Sequence, residues 1–319
     1  MSRKRAEHGK NAPKGRPGRV VETVGRRVRV RDEEGERVCF LSGQRAVIGD
    51  QVRWVVAKGT GGKLVGVDER RTVLSRLDHK GREQVVAANL DGVVIVDTGA
   101  APPLAPVLLD RYLVAADRGG LRAVICVNKA DLGLPDEARD QLAVREALGF
   151  RVLHTSAHSG EGIEELRAFI ADEGGAWALV GRSGVGKTSL VQRLLPEVPD
   201  EEIGETAELS EYWGMGRHTT TSSRIFDLPD GGEIVDSPGI RSFTPAGLTT
   251  DDLRLHFPAI RDASCQFRDC LHREGEDGCA VPDQVHPDLV HSYRTLLKEL
   301  LEIAAGTRRG RGEQEKKRS

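Results

Sequence analysis

The sequence predicts a multidomain chain: an N-terminal OB-type β-barrel over 18–76, a central α/β unit over 77–247 and a C-terminal α-helical, metal-binding unit over 248–305. Three observations predict it. Five short β-rich runs crowd into the first stretch, a density that suits a small closed barrel. Apolar runs then alternate with helix-forming segments, as in a mostly parallel sheet covered on both faces. Strand-like runs cease after about residue 248, where three of the five cysteines gather with a histidine ahead of a long helix-forming run.

The barrel runs are VVETV, RVRVR, RVCFL, AVIGDQVRWVV and KLVGVDE, separated by Gly, Asp and Glu at turns. Alternation in Val28 and Val30, and in Val52, Trp54 and Val56, assigns those side chains to the core. An SH3-like barrel would give the same pattern. If the barrel binds RNA, the outward Arg26, Arg27, Arg29, Arg31 and Arg53 are its expected contacts. In the α/β unit, strands are expected at 92–97, 123–127, 151–155, 177–180, 224–228 and 233–236, and helices at 104–117, 136–148, 162–171 and 187–195. A last helix is expected over 287–305. Residues 1–17 and 306–319 are basic and poor in apolar side chains, so both tails are expected to be disordered in isolation.

A formal net charge of -2 gives no overall pull toward nucleic acid, yet both ends are basic. They read either as solubilising tails or as phosphate-seeking arms. No apolar run approaches the roughly 20 residues of a bilayer helix. The polar N-terminus lacks the apolar core of a signal peptide, so a cytoplasmic protein without a membrane partner is expected. An odd cysteine count, with clustering, favours reduced thiols and a metal site over disulfides.

Gly181, Arg182, Ser183, Gly184, Val185, Gly186, Lys187 and Thr188, followed by Ser189, read GRSGVGKTS after the apolar run AWALV and open a helix. That is the context of a phosphate loop. Backbone N–H groups would cradle phosphates, Lys187 would reach the β and γ oxygens, and Thr188 would ligate Mg²⁺. Asn128, Lys129, Ala130 and Asp131 stand at the end of AVICV, where doubly wound sheets bind ligands. The Asp131 carboxylate can accept from the N1–H and N2 amine of guanine, whereas adenine lacks that donor pair. Ser156 and Ala157, after the next strand, offer a backbone N–H to the guanine O6. Asp236 to Gly239, reading DSPG, would hold the Mg²⁺ shell through Asp236 and sense the γ-phosphate through the Gly239 N–H. One threonine of GRHTTT, taken as Thr220 among Thr219 to Thr221, would close over Mg²⁺. The expected ligands are therefore GTP or GDP with Mg²⁺.

The order of these motifs is permuted. The base-reading segments precede the phosphate loop, as if an ordinary GTPase had been joined at its ends and cut before residue 92. Ile240 stands where Ras-like enzymes carry a water-orienting Gln, so intrinsic hydrolysis is expected to be slow. His218 is the candidate to supply the missing catalytic group, alongside Lys187, Thr188 and Asp236. Cys265, Cys270, His272 and Cys279 form a closed set for one structural Zn²⁺. Cys39 and Cys126 fall in strands and read as core.

These stretches stand in order along the chain: AANLDGVVIV, LLDRYLVAA, VNKADL, GRSGVGKTSL, GRHTTT, DSPGIRSF and CQFRDCLH with GCAV after it. On these the chain resembles the ribosome small subunit-dependent GTPase family, RsgA (also called YjeQ), over residues 18–305. The resemblance implies an OB barrel, a circularly permuted P-loop GTPase domain and a zinc domain. It also implies hydrolysis of GTP to GDP and phosphate in late maturation of the 30S ribosomal subunit, stimulated by that subunit. The 30S subunit and its 16S rRNA are the implied partners, and the family's switch histidine falls on His218. The family usually sets the last cysteine one residue closer to the histidine than Cys279 is to His272. A permuted GTPase of large-subunit assembly, or an RNA-binding module with a structural nucleotide site, are the alternatives. A monomer is expected.

Overall fold

The computed structural model describes residues 15–57, 61–77, 82–199, 203, 223–236 and 247–316. Strands β1 (Arg16–Val24), β2 (Arg27–Asp32), β3 (Gly35–Phe40), β4 (Gln51–Val56) and β5 (Gly62–Val67) close into a barrel. The first three form an antiparallel meander, β5 runs parallel to β3, and β4 joins β5 back to β1. That Greek-key closure is the OB arrangement and separates it from the SH3-like alternative. Val20, Val28, Val30, Cys39, Val52, Trp54 and Leu64 fill its core. Val56, expected inside, is 67% exposed, because it ends β4 at the barrel rim, beyond the packed layer.

A hairpin of β6 (Val73–Leu77) and β7 (Glu83–Ala88) follows. The sequence reading missed it, since VLSRL and EQVVAA do not alternate apolar with polar residues. The central sheet comprises β8 (Gly92–Thr98), β9 (Arg122–Asn128), β10 (Arg151–His154), β11 (Ala176–Val180), β12 (Ser223–Asp227) and β13 (Glu233–Asp236). Its order is β10-β9-β8-β11-β13-β12, parallel except for β12. Helices α1 (Pro106–Arg118) and α2 (Asp136–Ala147) cover one face, and α3 (Ile163–Glu173) and α4 (Lys187–Leu194) the other. Alternation along β8 serves both layers. Val93 and Ile95 pack with Leu109, Tyr112 and Leu142, while Val94 and Val96 pack with Leu166, Phe169 and Leu190. A strand buried on two faces favours apolar side chains throughout, which is why 93–96 is legible as a continuous run.

The barrel is not a loose appendage. Strand β1 pairs antiparallel with β12, so one sheet runs through both units. Arg19 reaches Glu233 at 2.6 Å and Arg31 reaches Asp227 at 3.0 Å across the junction.

Three single-turn helices, α5 (Thr250–Leu253), α6 (Pro258–Arg261) and α7 (Val281–Gln284), lead to the long α8 (Pro287–Lys316). Leu289, Tyr293, Leu296, Leu297 and Leu300 recur at helical spacing and pack on Leu253, Phe257, Ile260 and Val281. The long helix runs to Lys316, past the boundary at 305 expected for the helical unit. Val114 of α1 enters the same core. Beside it, Arg111 bonds Glu299 at 2.5 Å, and Asp110 and Arg145 form a buried ion pair at 2.6 Å. Burial pushes the Asp110 carboxyl up, and the Arg145 guanidinium pulls it back. No helix among the described residues is long and apolar enough to cross a membrane.

Candidate nucleotide site and metal centre

Strands β9, β10, β11 and β13 are parallel neighbours or near neighbours, so their carboxyl ends share one edge. That edge carries Asn128 and the 129–131 turn after β9, Thr155 to Ala157 after β10, the phosphate loop after β11, and Asp236 at the end of β13. Segments scattered between residues 128 and 236 thus stand side by side.

Asn128 joins two of them. Its Nδ2 donates to the Val185 carbonyl of the phosphate loop at 2.8 Å. Its Oδ1 accepts from the Thr155 hydroxyl at 3.3 Å and the Ala157 N–H at 3.1 Å. Gly186 is the only residue type that fits beneath this amide: its φ is +91°, and a Cβ there would lie 2.4 Å from Asn128 Nδ2. Ser156 donates from Oγ to Asp131 Oδ1 at 2.5 Å, holding the exposed carboxylate in one orientation. Lys187 Nζ donates to the Gly181 and Arg182 carbonyls, each at 2.7 Å, across the mouth of the loop. Ser183, Gly184, Thr188 and Ser189 are exposed there, whereas Val185 is buried as an apolar anchor.

The end of β8 and the loop after it, residues 98–105, form a strap over this edge that the motif reading missed. Arg182 donates from Nε and Nη2 to Asp97 Oδ1, at 3.1 and 2.8 Å, and from Nη2 to the carbonyls of Pro102, at 3.3 Å, and Pro103. Lys129, held at φ +63°, donates from Nζ to Ala101 O at 2.9 Å. The one available signal was a carboxylate, Asp97, closing an otherwise apolar run. Thr220 and Gly239, with His218, Arg217, Ile240 and Arg241, lie outside the described residues.

The second constellation is local. Ligand atoms of Cys265, Cys270, His272 and Cys279 all lie within 4.8 Å of one another. His272 Nδ1 is 3.4 Å from Cys265 Sγ and 3.7 Å from Cys279 Sγ. A tetrahedral ion with bonds of about 2.3 Å to sulfur and 2.0 Å to nitrogen would impose S···N separations near 3.5 Å, so the donor set is consistent with zinc. Burial pushes the Cys270 thiol up to about 12 and lowers the His272 ring. A neutral imidazole is the ligand form, and a bound cation would favour the thiolate. The Ala280 N–H donates to Cys265 Sγ at 3.3 Å, and Arg294 Nε of α8 to the His272 carbonyl at 3.0 Å, fixing the loop from behind. Cys279 reaches the cluster despite its longer spacing. Cys39 and Cys126 are buried, their thiols pushed up to about 11 and about 12 by burial.

The barrel's outward arginines differ from expectation. Arg29 is bonded to Glu22 at 2.6 Å, Arg31 to Glu36 at 2.9 Å and Arg53 to Asp68 at 3.1 Å. Glu22 and Glu36 stand directly opposite Arg29 and Arg31 on adjacent strands, so the pleat itself creates these pairs. Arg27 lies over the Phe40 ring at 5.3 Å.

A family model described as RsgA GTPase matches residues 67–245. The chain is 40% identical over 300 residues to the small ribosomal subunit biogenesis GTPase RsgA of Pseudomonas fluorescens, across 89% of this chain and 85% of that protein. Its counterpart in Azotobacter vinelandii is 40% identical over 302 residues, covering 89% and 86%. Among solved structures, YjeQ from Thermotoga maritima matches with a TM-score of 0.68 at 28% identity, over 90% of this chain and 98% of that one. YloQ, described as a circularly permuted GTPase, shares the fold with a TM-score of 0.64 at 23% identity, over 94% and 98%.

Proposed function

The chain belongs to the RsgA GTPase family, and from that premise we propose that it hydrolyses GTP in late maturation of the 30S ribosomal subunit, with turnover stimulated by that subunit. The observation that carries the site assignment is the shared carboxyl edge, cross-linked by Asn128 Nδ2 on Val185 O at 2.8 Å. Asp131, oriented by Ser156, would accept the guanine N1–H and N2 amine. The Ala157 N–H would share its proton between Asn128 Oδ1 and the guanine O6. A site that reads a substrate through such polar pairs discriminates by roughly 10⁴ or more.

The phosphates would lie against the N–H groups of 181–189, at the start of α4, whose dipole favours anions. Lys187 would exchange the Gly181 and Arg182 carbonyls for β and γ oxygens. Thr188 and Asp236 would hold Mg²⁺, together with Thr220. When bound, that ion neutralises charge on the β and γ phosphates. The Gly239 N–H would sense the γ-phosphate, and His218 would orient the attacking water in place of the Gln that Ile240 displaces. His218→Ala should lower turnover and leave GDP affinity intact; unchanged turnover removes it from the mechanism.

A single Zn²⁺ would sit among Cys265, Cys270, His272 and Cys279, with no position left for catalysis. The 30S subunit and its 16S rRNA are the proposed partners of a cytoplasmic monomer. Arg26 and the basic residues near both ends are better RNA candidates than the ion-paired Arg29, Arg31 and Arg53. The deciding experiment is a GTPase assay with and without purified 30S subunits. Strong stimulation by 30S alone is expected. Stimulation by 50S instead, or none by either, would remove the reading.

A further inference from the structure

The Asp97–Arg182 pair does more than neutralise a buried charge. Asp97 lies at the end of β8 with its side chain 5% exposed, and burial pushes its carboxyl up. Its two oxygens close the 98–105 strap, Oδ1 accepting the Thr98 N–H at 2.8 Å and Oδ2 the Ala105 N–H at 3.2 Å. The same Oδ1 takes both donors of the Arg182 fork, and that guanidinium also reaches two strap carbonyls. Lys129 binds a third strap carbonyl from the base-reading side. The strap therefore receives cations from both loops that would grip opposite ends of a nucleotide. The Arg182 side chain is directed at strand and strap, leaving its backbone to the loop.

We propose that Asp97 and Arg182 are positioning residues for the nucleotide: their ion pair seats the phosphate loop against the 98–105 strap, which Lys129 ties to the base-reading loop. This rests on the nucleotide-site reading above. Spacing between the two loops is set before the ligand arrives, so the pair acts on affinity rather than on the chemical step. The loss falls equally on GDP and GTP, since neither residue is directed at the γ-phosphate.

The test is titration of the full chain with fluorescent GDP and a non-hydrolysable fluorescent GTP analogue, beside steady-state turnover and thermal melting. Asp97→Asn should weaken both nucleotides by about tenfold and raise KM by the same factor, with turnover at saturating GTP changing less than about twofold. Arg182→Lys, which keeps the charge but loses the planar fork, should lose less affinity than Arg182→Ala. The double variant Asp97→Asn/Arg182→Ala should be no weaker than its worse single parent, because the two act as a unit. Native affinity in a folded Asp97→Asn chain, or losses that simply add, overturns the proposal and leaves an ordinary structural ion pair. Should Asp97→Asn fail to fold, Arg182→Lys carries the test alone, and native affinity there is equally fatal. Absence of guanine-nucleotide binding by the unsubstituted chain would instead refute the site reading.

Discussion

The two functional regions are built on opposite plans. The Cys265, Cys270, His272 and Cys279 cluster gathers four ligands from one short loop. The nucleotide edge gathers Asn128, Ser156, Lys187 and Asp236 from four separate strand ends. A local site depends on what fills it, because the loop has little core of its own. An edge site depends on the sheet, and strand order keeps it assembled even when the chain is cut and rejoined elsewhere. The permuted motif order costs nothing in geometry, since β9, β10, β11 and β13 still finish at one edge.

The largest expected effect would break this contrast if it spread. Cys270→Ser removes one of four ligands and should weaken zinc binding, worth on the order of 10 kcal/mol for a complete structural site, and loosen the C-terminal unit to proteolysis. GDP affinity at the sheet should persist; its collapse would mean that the two regions are one cooperative body. Tryptophan fluorescence suits the measurement, because Trp54, Trp177 and Trp213 all lie outside the C-terminal unit. Arg145→Ala sharpens the contrast next, leaving buried Asp110 without its partner where α1 meets α2 and the helical unit. A loss of about 3–5 kcal/mol is expected by chemical denaturation, with metal content unchanged. Gly186→Ala should cost about 1–3 kcal/mol through its left-handed backbone, and should weaken GDP binding by crowding the Asn128 amide. Native GDP affinity in that variant would discredit the Asn128 link. Smallest is Glu34→Gln on the barrel, whose ion pair with Arg16 is solvent-exposed and worth no more than about 1 kcal/mol. Its effect on melting should vanish in high salt, and a persistent loss would show that an exposed pair helps hold the barrel.

Legibility followed range. Strand runs such as 93–96 and 177–180 could be read because burial on both faces favours unbroken apolar character. The candidate phosphate loop and candidate base-reading turn stood out because each is a contiguous run suited to one chemical demand. The β6–β7 hairpin could not be read, because its strands do not alternate apolar with polar side chains. Nor could the fate of Arg29 and Arg31, which was decided by the glutamates that strand register set opposite them.

By itself, the amino-acid sequence determined which short segments are candidates for the chemistry: a loop suited to phosphate, a carboxylate suited to guanine, and thiols suited to an ion. These are properties of neighbouring residues and survive any rearrangement of the chain. Only the tertiary structure decided that Asn128 would meet Val185, that Asp97 would hold Arg182, and that the barrel would pair with β12. Each of these contacts joins residues dozens of positions apart or more, and their proximity follows from strand order and register, which no short stretch of sequence encodes.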